Sequence, residues 1–202
     1  MSRPTCARCA RPTRHCLCGL IPLLDSRTRV LILQHPSEVE HALNTARLAA
    51  LGLSNGELRV GEVFEDLSAL LARPGHRACL LFPGEGAQPV ASAAAEADGQ
   101  PLLLVVPDGT WRKARKLLHL NPLLAALPRL TLPAGLSSRY RLRKAPMPGA
   151  VSTLEAIVCA LELLDAPKSY QALLRPFEAL IQGQIAAMGD ETYRRNHGRH
   201  EA

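Results

Sequence analysis

Cys6, Cys9, Cys16 and Cys18 follow a C-x2-C-x6-C-x-C spacing within the first eighteen residues. Four thiolates so spaced can close a tetrahedral zinc site. The C-x2-C arm is common in zinc knuckles, the C-x-C arm is tighter, and His15 could replace one thiolate. The competing reading is four free thiols in an unstructured leader. A four-thiolate site keeps no open coordination position, so its expected role is structural. Cys79 and Cys159 stand in apolar runs and read as buried core residues.

A second constellation lies far downstream. Asp108-Gly109-Thr110-Trp111 carries the only Trp of the chain and leads into Arg112-Lys113-Ala114-Arg115-Lys116. Asp108 follows an apolar run and precedes a helical pattern. Such a residue is either a helix N-cap or a carboxylate for site chemistry. Ser152-Thr153-Leu154-Glu155 is a capping box, and the same arrangement aims N–H groups and a hydroxyl at an anionic or polar ligand. Pro83-Gly84-Glu85-Gly86 is a glycine turn that lets backbone approach a ligand, but it matches no phosphate-loop pattern. Arg112, Lys113, Arg115 and Lys116 form one basic cluster; Arg139, Arg141, Arg143 and Lys144 form another. In an extended segment Arg139, Arg141 and Arg143 share a face, which suits a phosphate backbone. Both clusters can equally be solvated surface.

The elements that must position these groups alternate. Val30–Leu33, Leu58–Val63, Ala78–Phe82 and Leu102–Val106 read as strands. Leu130–Leu132 and Tyr140–Arg143 are weaker strand candidates. Ser37–Glu40 reads as a capping box opening a helix that Gly52 closes. Further helices are expected at 67–72, 88–97, 110–119, 153–164 and 169–187, the last with a kink or break at Pro176. The pattern implies a mostly parallel sheet covered on both faces, with ligands outside the carboxyl ends of strands. The expected division is a knuckle at 1–25, a catalytic domain at 26–188 and a polar tail at 189–202.

With 47% hydrophobic residues the chain can bury a sizeable core, and with seven aromatics (Trp 1, Tyr 3, Phe 3) that core must be aliphatic. The net charge of +6 favours an acidic partner such as RNA. No apolar run reaches the roughly 18 residues of a membrane span, and the N-terminus has no signal-peptide core. A cytoplasmic protein with reduced thiols and no membrane association is expected. No obligate protein partner is evident.

Taken in order, several stretches resemble the DTW-domain family of tRNA-uridine aminocarboxypropyltransferases. They are the four cysteines, Leu33–Glu38, Asn44–Leu48, Phe82-Pro83-Gly84, Asp108-x-Thr110-Trp111, Ser138–Arg141 and Ser152–Ala156. The resemblance runs over nearly the whole chain. It implies an α/β, SPOUT-like fold with a C-terminal trefoil knot, beside the N-terminal zinc knuckle. It implies S-adenosylmethionine as donor of a 3-amino-3-carboxypropyl group to N3 of a uridine in tRNA. The donor would be held by Leu81, Phe82, Pro83, Gly84, Pro107, Thr110, Trp111, Leu132, Ser152, Thr153 and Glu155, with Asp108 as the base that removes the N3 proton. A free Asp, with a pKa of about 3.9, is a weak base and needs positioning in a dry site. Competing readings are a SPOUT-like RNA methyltransferase, a ribosomal-RNA aminocarboxypropyltransferase and a non-catalytic zinc-knuckle RNA-binding module.

Overall fold

A computed structural model describes residues 4–95, 99–139, 149–189, 192, 193 and 195. Its strands are β1 (Arg29–Gln34), β2 (Gly56–Val60), β3 (Arg77–Leu81), β4 (Gln88–Pro89), β5 (Leu102–Asp108) and β6 (Arg129–Thr131). Its α-helices are α1 (Ala46–Gly52), α2 (Leu67–Leu71), α3 (Val90–Ala95), α4 (Trp111–Leu120), α5 (Pro122–Ala125), α6 (Thr153–Leu164) and α7 (Arg175–Met188). The six strands form one sheet in the order β2-β1-β5-β3-β6-β4, and every pairing is parallel.

Apolar side chains on both faces of the strands force helices onto both sides. Val30, Ile32, Leu102, Leu104 and Val106 join one buried cluster with residues of α1, α3, α6 and α7. Leu31, Leu33, Leu80, Leu103 and Val105 join another with residues of α2, α4 and α5. This continuous apolarity is the signature of a parallel sheet buried on both faces. Leu17 and Ile21 enter the first cluster, so the end of the N-terminal segment is packed into the main core.

One polar hub ties the far ends of the chain together. Asp165, just past α6, accepts from the backbone N–H groups of Arg27 and Thr28, from the Thr28 hydroxyl at 2.6 Å and from the Tyr170 hydroxyl at 2.8 Å. Burial, then the Asp165 contact, pushes the Tyr170 phenol upward from its ordinary range. The hub fixes the entry of β1 against the exit of α6.

The second strand runs Gly56–Val60 rather than Leu58–Val63, and three other segments differ from expectation. The helix anticipated from Ser37 does not form there. His35 caps a 3-10 turn at Pro36–Glu38 by accepting from Ser37 N, and Asn44 donates to the carbonyls of Glu38 and Val39. These side-chain bonds hold turns open until α1 begins at Ala46. The segment expected as an alanine-rich helix over 88–97 starts with the short strand β4, whose Gln88 and Pro89 pair with β6. The helix expected at 169–187 is broken rather than kinked near Pro176, into a 3-10 helix at Gln171–Leu174 and α7, with Pro176 in the first turn of α7. Proline is well suited there because the first N–H groups of a helix have no intrahelical acceptor. Of the weaker strand candidates, β6 forms, whereas Tyr140–Arg143 lies outside the described residues.

Candidate active site and metal-binding knuckle

Parallel strands bring their carboxyl ends to one edge of the sheet, and the registers decide which residues meet. In the β1–β5 pair Gln34 stands opposite Asp108. The backbone N–H of His35 donates to the Asp108 carbonyl at 3.0 Å, so Asp108 remains part of the strand. Asp108 is therefore not the helix cap. That role falls to Thr110, whose Oγ1 accepts from Lys113 N. Between them Gly109 adopts φ +152°, and a Cβ there would meet the Lys113 Cβ at 3.0 Å. The turn needs glycine, and it leaves the Asp108 carboxylate without a capping duty.

The carboxylate, on a residue 8% exposed, is instead held from two sides. Gln34 Nε2 donates to Oδ2 at 2.8 Å, and Thr153 Oγ1 donates to Oδ1 at 2.5 Å. Gln34 is fully buried, also contacts Asn44 Oδ1 at 3.3 Å, and keeps Oε1 without a partner among the described residues. Thr153 is the first residue of α6, placed by the capping box formed between Ser152 and Glu155. Glu155 does more than cap. Its carboxylate also accepts from Ser138 Oγ at 2.9 Å and Arg139 N at 2.6 Å, stapling that loop to α6.

Beside this group, across Thr153, lies a cleft of about 570 Å³. Its walls come from the ends of β3, β5 and β6, the loop after β6 and the start of α6. No charged residue lines it among the described residues. Leu81, Phe82, Pro83, Pro107, Trp111, Leu132, Ser152 and Thr153, all expected at a donor site, line it together. Gly84, Thr110 and Glu155 do not; Thr110 and Glu155 act as caps, and Gly84 lies in a neighbouring hollow. Trp111 is half-buried against Phe82, with ring centroids 5.5 Å apart at 57°.

The basic residues fare unevenly. Lys113 pairs with Glu38 at 2.7 Å, Lys116 with Glu62 at 2.6 Å, and Arg139 with Glu178 at 2.7 Å. Glu62 also meets His35 Nε2 at 2.8 Å. The Lys116 hydrogen bond, outweighing partial burial, holds the Glu62 carboxyl below its ordinary range. Arg112 and Arg115 are exposed on α4. Arg141, Arg143 and Lys144 lie outside the described residues. Gln34, Asn44, His35 and Glu62 had not been singled out as site residues. The available signal was a polar Gln at the carboxyl end of an apolar strand.

At the N-terminus two tight turns gather the cysteines. Cys6 N donates to Arg11 O and Ala10 N to Cys6 O, both at 2.8 Å. All four sulfurs lie within 4.8 Å of one another, with Cys6–Cys18 at 3.6 Å and Cys9–Cys16 at 3.8 Å. A tetrahedron of sulfurs about 2.3 Å from a central ion has edges of about 3.8 Å. The cluster can thus hold a metal ion, and His15 is outside it. Backbone N–H groups of Cys9 and Arg8 pull the Cys6 thiol down to about 6, whereas desolvation, then the neighbouring thiols, push Cys18 up to about 12. Four crowded thiols resist full ionisation, and a dication would relieve that repulsion.

The knuckle is fastened to the segment that follows β1. Arg11 donates from Nη1 to the Ala42 carbonyl and from Nη2 to the Asn44 carbonyl, the latter at 2.7 Å. Asn44 is the residue whose side chain contacts Gln34, so a polar chain runs from the knuckle to Asp108.

The DTW domain pattern matches residues 3–185. The chain belongs to the DTW domain family. It is 32% identical over 193 residues to tRNA-uridine aminocarboxypropyltransferase 2 of Macaca fascicularis, covering 91% of this chain and 64% of that protein. It is 33% identical to the Drosophila melanogaster protein of the same name, covering 91% and 76%. Identity to tRNA-uridine aminocarboxypropyltransferase A of Arabidopsis thaliana is 27%, covering 81% and 73%. The chain thus spans just under two thirds of the length of the macaque relative. No solved structure gives a significant match. Among the described residues no helix is long and apolar enough to cross a membrane.

Proposed function

We propose that this member of the DTW family transfers the 3-amino-3-carboxypropyl group of S-adenosylmethionine to N3 of a uridine in tRNA. The observation that carries the reading is the position of the family's namesake residues. Trp111 lines the cleft that the strand ends build, and Asp108 lies behind its wall, bonded to the Thr153 hydroxyl that lines it. A volume of about 570 Å³ with apolar walls suits a nucleoside-sized molecule. When bound, S-adenosylmethionine supplies an electrophilic sulfonium carbon; N3 bonds to that carbon, the carbon–sulfur bond breaks and methylthioadenosine leaves. Every other contribution comes from the chain.

Leu81, Phe82, Pro83 and Leu132 offer apolar surface that excludes water. The orientation they impose must select one of three sulfonium carbons. Asp108 takes the N3 proton, with the Thr153 hydroxyl providing the contact to the cleft wall. Gln34 and Thr153 hold the carboxylate in place, which is the positioning a weak base requires. Because each oxygen already has a donor, the proton enters by way of the Thr153 hydroxyl, which can turn once its own proton is passed on.

Zinc is our reading of the ion at Cys6, Cys9, Cys16 and Cys18, in a structural role. We extend the family expectation of a SPOUT-like topology with a C-terminal trefoil knot to this chain. The convergence of the loops after β3, β5 and β6 on one cleft supports it. A cytoplasmic location, the division at 25 and 188, and RNA contact by Arg112, Lys113, Arg115, Lys116, Arg139, Arg141, Arg143 and Lys144 belong to the same reading.

Incubation with tRNA and S-adenosylmethionine, followed by nucleoside mass analysis, tests it. Aminocarboxypropyl-uridine with methylthioadenosine is expected. Methylated nucleoside with S-adenosylhomocysteine would replace it with the methyltransferase reading.

A further inference from the structure

A second hollow, of about 450 Å³, lies against the same Phe82–Trp111 pair as the main cleft. It shares Phe82, Pro83 and Trp111 with that cleft and adds Gly84, Arg115 and Arg129. The two chambers differ in charge. The cleft is lined by no cation among the described residues, whereas the hollow presents two guanidiniums.

Arg115 stands one turn beyond Trp111 on α4, so both share a helix face. Arg129 opens β6 and reaches across the β3 loop. A Cβ on Gly84 would overlap the Arg129 Nη1, so glycine there leaves room for the guanidinium in this position. Lys113, Lys116 and Arg139 are each neutralised by a carboxylate. Among the described residues no hydrogen bond or ion pair engages either the Arg115 or the Arg129 guanidinium. Two uncompensated guanidiniums on a partly apolar wall, beside the half-buried Trp111 ring, form an anion site with an aromatic platform.

We propose that this hollow seats a phosphate of the acceptor RNA next to the modified uridine, with Arg115 and Arg129 as its ligands. The inference rests on the transfer reading above and deepens it. Donor and acceptor then approach the Trp111 partition from opposite sides. Gly84 serves this site by admitting Arg129, rather than by approaching the donor.

The test uses the full, metal-loaded chain with a tRNA transcript and S-adenosylmethionine. Arg129→Gln and Arg115→Gln should each weaken tRNA binding by roughly tenfold and flatten the salt slope by roughly 0.7–0.9 per lost contact. Gly84→Ala, which displaces the guanidinium without removing its charge, should weaken tRNA binding in the same direction. Donor affinity by calorimetry should stay within about twofold, which also reports that each variant is folded. Unchanged tRNA affinity and slope in both arginine variants would overturn the proposal. So would loss of donor affinity in Arg129→Gln, which would assign the hollow to the donor carboxylate. A wild-type chain that binds tRNA but transfers nothing would sink the transfer reading, while the binding comparison would still decide the hollow.

Discussion

In the knuckle, Cys6, Cys9, Cys16 and Cys18 meet because two adjacent turns fold back on each other. Behind the cleft wall, Gln34, Asp108 and Thr153 meet only because β1, β5 and α6 converge. The first site is local, and its four sulfurs are spaced to hold an ion. The second is a product of strand register, and its carboxylate is held by donors from two distant elements. An ion bound by neighbours in sequence can be lost with little harm to the sheet. A carboxylate held by two distant elements reports on the whole fold. The Arg11 bonds to the 42–44 backbone join the two regions, so their independence is a matter of degree.

The largest effect should come from breaking the cleft at its carboxylate. Asp108→Asn is expected to lower transfer by roughly two to four orders of magnitude, as for loss of a general base. The fold should survive. An Asn amide can donate to Gln34 Oε1, which lacks a partner among the described residues, if the glutamine amide turns over. Since Thr110 caps α4, a helix effect cannot account for the loss. Single-turnover rates over a pH series check this, with partial rescue of the variant at high pH.

Next in size is the hub that aligns β1 with α6. Asp165→Ala strands several buried donors and should cost roughly 2–4 kcal/mol of stability. Denaturant unfolding measures it. The knuckle should keep its metal, because none of its ligands touches Asp165.

Metal removal sharpens the comparison from the other side. Chelation, or Cys6→Ser with Cys16→Ser, should remove the ion and lower thermal stability while leaving donor binding near normal. Arg11→Ala should cost roughly 1–3 kcal/mol. Combined with metal loss it should cost less than the sum, because both release the same segment. Full additivity would mean that the knuckle does not act through Arg11.

The smallest expected effect concerns pH. The lowered Glu62 carboxyl stabilises the fold in its ionised form. Its contribution is complete above the ordinary value of 4.5 and is lost as pH falls through the lowered value. The pair is partly exposed, so Glu62→Gln should shift stability slightly at neutral pH, and the difference should vanish on acidification.

What could be read from the sequence follows the same division. The cysteine spacing identified the knuckle because its ligands are close in sequence. Apolar runs located β1, β3 and β5, since burial on both faces leaves an unbroken pattern. The Ser152–Glu155 capping box was equally local. Asp108 was ambiguous because a cap and a catalytic carboxylate share a residue type; the pairing of β5 with β1 and the Thr110 cap remove only the capping role. Gln34 was missed because its value lies in a partner 74 residues away. The helix drawn from Ser37 failed because Asn44 side-chain bonds, invisible to periodicity, hold that segment in turns.

The central claim is transfer of the aminocarboxypropyl chain rather than the methyl group. Its most direct test uses two preparations of S-adenosylmethionine, one labelled in the methyl group and one in the aminocarboxypropyl chain, each incubated with the protein and tRNA. The account predicts that the chain label enters the RNA in a uridine nucleoside, while the methyl label stays with methylthioadenosine. Methyl label in the RNA, with the chain label retained in S-adenosylhomocysteine, would contradict it.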